Sequence, residues 1–86
     1  MKALGIITLG GILFVRSTQH NGYYDEWRAQ EGSTVWRLTA DKTTAVPFYE
    51  LFRRDETQPG RELWTRLFAS SSLDKISDYM DKEVEI

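Results

Sequence analysis

Between residues 5 and 40 the chain alternates short runs rich in β-branched and aromatic residues with three dipeptides ending in glycine: Gly10-Gly11, Asn21-Gly22 and Glu31-Gly32. A Gly in a two-residue loop supplies the positive φ that tight hairpin turns require. Asn-Gly is the strongest such signal, and Glu-Gly is weaker but compatible. The pattern predicts strands over about 3–9, 12–20, 23–30 and 33–40, arranged as an antiparallel meander.

These turns also fix registers. Gly10-Gly11 sets Leu9 opposite Ile12 and Ile7 opposite Phe14, and Asn21-Gly22 sets Arg16 opposite Trp27. Glu31-Gly32 as the loop sets Trp27 opposite Trp36 and Glu26 opposite Arg37. One face then collects Ile7, Ile12, Phe14, Trp27, Trp36 and Leu38, and the other Ser17, Gln19, Glu26, Arg28, Arg37 and Thr39. A slip of one residue would mix the two sets, because side chains alternate with a period of two.

After the polar break Asp41-Lys42-Thr43-Thr44 come segments 46–54 and 61–69, joined across Pro59-Gly60. Both would also serve as short amphipathic helices, since their apolar residues fall within about 140–160° of a helical wheel. The Pro-Gly turn signal and the aromatic density favour two more strands. As a hairpin they pair Phe52 with Leu63, leaving Tyr49, Arg53 and Arg66 on the other face. Ser70-Ser71-Ser72 then offers an N-cap, and Leu73, Ile76, Tyr79 and Met80 recur at helical spacing. Asp74 near the start and Lys82 near the end suit the helix dipole, predicting a helix over about 72–82. The expected fold is α+β: a curled, half-barrel-like meander sheet of five or six short strands, with one C-terminal helix packed on it, in a single domain.

Composition narrows the function classes. The chain has 86 residues, no Cys, 13% aromatics and a net charge of −2. Disulfides and thiolate metal sites are excluded, and the charge argues against a dedicated duplex nucleic-acid binder. Residues 74–86 carry five acids against two lysines, whereas all seven Arg lie before them. Lys2 followed by the apolar run 3–15 superficially resembles an export signal. No small-x-small cleavage pattern follows it, and a membrane helix needs about 20 residues. A strand pair in a cytoplasmic protein is expected instead.

No catalytic constellation emerges. His20 is the single histidine, and a Ser17–His20–Asp25 grouping would sit around one hairpin tip with no oxyanion site. Asp25, Glu26 and Glu31 do not converge, and Gly5, Gly10 and Gly11 form no phosphate-binding fingerprint. The expectation is therefore no enzyme, no metal and no cofactor. Asp74, Asp78 and Asp81 share one helix side, which reads as a solvated acidic stripe.

The remaining constellation interleaves arginine with aromatics: Trp27-Arg28, Trp36-Arg37, Phe52-Arg53-Arg54 and Trp64-Thr65-Arg66. Alternation sends Trp27 and Trp36 inward and Arg28 and Arg37 outward. Tyr24, Tyr49, Arg53, Trp64 and Arg66 are expected to join them, with Tyr23 at the nearby hairpin tip. Such residues are enriched at interface hot spots. The leading expectation is a small protein-binding module, of the kind phages and mobile elements encode to occlude a functional surface of a host protein or complex. A single-stranded nucleic-acid binder using the same Arg/aromatic face ranks second. An exposed edge strand offers a route to a homodimer.

Overall fold

The structure, a computed structural model, describes residues 5–17, 22–55 and 64–84. The expectations for His20, Gln19 and the Pro59-Gly60 turn lie outside these residues. The strands are β1 (Ile6–Leu9), β2 (Ile12–Arg16), β3 (Tyr24–Glu31), β4 (Thr34–Asp41), β5 (Phe48–Asp55) and β6 (Thr65–Ser70), followed by helix α1 (Leu73–Val84). All six strands form one antiparallel sheet in chain order, an α+β meander. The described parts of the segments after the polar break thus form strands, Phe48–Asp55 and Thr65–Ser70, rather than helices.

The β1–β2 loop is Gly10-Gly11, with φ of 56° and 79°. Both signs match a type I′ turn, whose twist suits the flanking strands. Leu9 pairs with Ile12 and Ile7 with Phe14, and Arg16 pairs with Trp27, as the turns predict. The third hairpin differs. Its loop is Gly32-Ser33, because Glu31 pairs with Thr34, and Trp27 lies opposite Leu38 rather than Trp36. Gly32 has φ 62° and Ser33 has no positive φ, the pattern of a type II′ loop, where Gly takes the first position. The correction is a shift of two residues, so every side chain keeps its face.

The helix-facing side buries Leu9, Ile12, Phe14, Trp27, Ala29, Trp36, Leu38, Ala40 and Leu51 against Ile76 and Met80 of α1. Helix formation there follows the chemistry of its ends. The Ser72 hydroxyl accepts the Lys75 amide at 3.4 Å, Asp74 lies in the first turn and Lys82 in the last. Tyr79 stacks on Phe68 of β6 with centroids 5.0 Å apart. At the other edge α1 meets the first hairpin: Gly10 donates its amide to the Ser77 hydroxyl at 3.2 Å. The helix contacts β1 and β6, the two edge strands, so the sheet curls until both borders reach it. None of the described helices is long and apolar enough to cross a membrane.

One buried carboxylate sits at the end of this side. Asp25 is 1% exposed and accepts hydrogen bonds from Arg16 of β2, while Lys42 Nζ lies 2.7 Å from its other oxygen. Burial would raise its pKa. The Lys42 and Arg16 hydrogen bonds and charges more than reverse this, holding the carboxyl below the usual range. Asp25 thereby ties β2, β3 and the chain leaving β4.

Candidate functional site

The opposite side of the sheet is the candidate site, because no described helix or strand covers it. Its side chains form cross-strand rows dictated by register. One row runs Val15, Arg28, Arg37, Phe52, Arg66 across five strands. A neighbouring row runs Glu26, Thr39, Glu50, Ala69, and another Gln30, Val35, Arg54.

Arg28 and Arg37 are therefore direct cross-strand neighbours, an arrangement that like charges disfavour. Two features hold it. Glu26 accepts a hydrogen bond from Arg28 Nε at 2.7 Å and lies 3.9 Å from Arg37 Nη1. The second is Trp64, on the approach to β6, whose ring lies under three guanidinium groups. Arg37, Arg54 and Arg28 stand 4.5, 4.7 and 5.7 Å from its centroid. Arg37 also lies 4.6 Å from the Phe52 ring, so its plane is held against two aromatic rings.

Glu26 is sunk beneath this layer, only 2% exposed. Tyr24 donates its hydroxyl proton to Glu26 Oε1 at 2.7 Å. Burial, that hydrogen bond and the carboxylate charge push the Tyr24 pKa up to about 12, against the opposing charges of Arg37 and Arg28. Farther across, Arg66 Nη1 meets Glu50 at 3.0 Å in an exposed pair. Toward β1 the same side is apolar: Ile6, Leu13 and Val15 are each more than half exposed.

Arg28, Arg37, Tyr24, Trp64 and Arg66 all belong to this face, and Tyr23 is exposed beside it at 70%. Tyr49 and Arg53 do not. They share the helix-facing side, Tyr49 opposite Ala40 and Arg53 opposite Trp36, whose ring lies 5.6 Å from the guanidinium. The physical reason is Leu51, fully buried opposite Leu38, which fixes the parity of β5 and turns Phe48, Glu50, Phe52 and Arg54 outward. Phe52 accordingly pairs with Arg66 rather than Leu63. Phe52, Arg54 and the buried Glu26 are the members that sequence reasoning left out of the site. The one sequence signal for them was that Leu51 is the sole aliphatic residue of its strand.

Asp74, Asp78 and Asp81 are exposed on α1, on the far side of the molecule from the arginine row. Among the described residues no group of His, Cys, Asp or Glu could hold a metal ion. Comparison of the chain with family models, with curated proteins and with solved structures gives no match.

Proposed function

We propose that this protein is a non-enzymatic protein-binding module that meets its partner through the uncovered side of the sheet and occludes a functional surface there. The observation that carries the proposal is the row Arg28–Arg37–Phe52–Arg66 with Trp64 laid against it. Stacked guanidinium groups are preorganised, so little side-chain entropy is lost on contact, and Trp, Tyr and Arg dominate interface energetics. The adjoining Ile6, Leu13 and Val15 add apolar surface to the same side. A module that acts by covering a surface suits an inhibitor of the kind mobile elements encode.

Single-stranded nucleic acid is the second reading, since it would use the same arginines and rings. The geometry favours it less. Three guanidinium groups already lie over Trp64, where a base would have to stack.

The test is affinity capture from cells that express the protein, with tagged wild type, Trp64→Ala, Leu13→Asp and Lys75→Gln as baits. A stoichiometric partner is expected on wild type and Lys75→Gln, and is lost from the other two. A partner retained equally on all four, or none on wild type, refutes the proposal.

A further inference from the structure

We infer that the partner segment is acidic, and that one of its carboxylates seats in the cleft between Arg28 and Arg54. The inference rests on the uncovered-face reading above and gives that surface its chemistry. Arg28, Gln30, Val35 and Arg54 line an open cleft of about 290 Å³, floored by Ala29 and close to the Gly32-Ser33 turn. Both arginines lean on the Trp64 ring, which presents two planar donor groups to one small space. Such groups match a carboxylate bidentately, and the Gln30 amide at the rim is turned to the Gly32 carbonyl at 3.2 Å.

Charge on this face is layered in depth. The acidic groups paired with its arginines are low, Glu26 at 3% and Glu50 at 30% side-chain exposure, while Asp41 is exposed at the end of the face beside Tyr24 and Phe48. Arg28 at 46% and Arg66 at 62% ride above them, while Arg37 is held lower at 22%. A partner approaching Arg28, Arg54 and Arg66 therefore meets cations, although the whole chain carries −2. The Arg28–Arg37 juxtaposition points the same way, because a second carboxylate would relieve repulsion that Glu26 offsets for two guanidinium groups at once. Electrostatic matching of this kind sets partner choice and association rate.

The experiment titrates a short fluorescein-labelled oligoglutamate peptide into the full chain by anisotropy, with an oligothymidylate of similar length in parallel. Wild type is expected to bind oligoglutamate in a salt-dependent manner. Arg28→Gln/Arg54→Gln should weaken this by roughly tenfold or more, as loss of matched charges does. Arg54→Gln alone leaves the Glu26 pair intact and guards against misfolding of the double variant, and it should weaken binding by a smaller factor. Lys75→Gln should bind as wild type. Absent oligoglutamate binding, binding unchanged in both arginine variants, or tighter oligothymidylate binding lost by the same substitutions would overturn the inference. If a captured partner survives Arg28→Gln/Arg54→Gln but is lost with Trp64→Ala, the acidic partner falls while the uncovered-face reading stands.

Discussion

Replacing Gly10 with alanine isolates the docking of the helix on the first hairpin. A Cβ built at Gly10 would lie 2.7 Å from Met80 Cβ, 3.0 Å from the Met80 carbonyl carbon and 3.1 Å from the Asp81 amide nitrogen. Two of those three atoms are helix backbone, so the conflict is not relieved by a rotamer change. Gly11 is the internal control, having φ 79° and no atom within 4 Å of a built Cβ. Both variants pay the left-handed backbone strain, about 1–2 kcal/mol. Gly10→Ala adds an overpacking contribution of about 1–3 kcal/mol, because α1 must shift outward. It is therefore expected to lose about 2–5 kcal/mol, against about 1–2 for Gly11→Ala. In a domain of this size each kcal/mol moves Tm by about 4–8 °C, which separates the two variants clearly. Thermal and urea unfolding followed by far-UV circular dichroism would measure both. Equal destabilisation of the two would mean that α1 is not seated on the Gly10 turn, and the packing argument would fail.

Three further outcomes follow from buried charge. Asp25 has a depressed folded-state pKa, so its contribution is present above the unfolded value of about 3.9 and is lost as pH falls through the lower folded value. The stability gap between wild type and Asp25→Asn should accordingly shrink in acid, and urea melts from neutral pH downward test this; a pH-independent gap contradicts it. Tyr24 is shifted the other way, to about 12, so wild type should lose stability relative to Tyr24→Phe as pH rises from about 10. Phenolate absorbance should include a late-titrating tyrosine, and its disappearance in the Phe variant assigns it. Glu26→Ala strands Arg28 and Arg37 side by side, whereas Glu50→Ala breaks an exposed pair worth about 0–1 kcal/mol. The former should destabilise by about 2 kcal/mol or more, below the 3–5 of a wholly buried pair because Arg28 is half exposed. Equal losses in chemical denaturation would place Glu26 outside the network.

How much of this was legible in the residues depended on the turns. Gly10-Gly11 leaves one loop that positions both glycines at positive φ, so the β1–β2 register could be read directly. At the third hairpin either Glu31-Gly32 or Gly32-Ser33 satisfies the glycine requirement, and the choice is made by pairing along eight-residue strands rather than by the loop. The error was an even number of positions, so the sorting of Trp27, Trp36 and Leu38 from Arg28 and Arg37 survived it. Between β4 and β5 the chain 42–47 carries no two-residue turn. The parity of β5 was then undetermined, because Tyr49 and Arg53 are chemically as suited to an outer surface as Phe48 and Phe52. The helix was legible because its cap, its dipole charges and its apolar spacing agree. Glu26 was placed on the correct face, yet its burial could not be anticipated, since Tyr24, Arg28 and Arg37 close over it only once β3 and β4 are paired.

Between Leu51 and Phe52 the β5–β6 register slips, with Phe68 opposite Leu51 but Arg66 opposite Phe52, leaving Leu67 without a one-to-one partner. In a regular strand Arg66 and Phe68 would share a side; the extra residue lets them serve opposite sides, Phe68 stacking on Tyr79 and Arg66 reaching Glu50. If Leu67 were instead paired one to one with Phe52, the strand would have to send a guanidinium indoors beneath α1 or a phenyl ring outdoors. Leaving that one residue uncounted is thus what keeps the last strand hydrocarbon to its own helix and cation to the outside world.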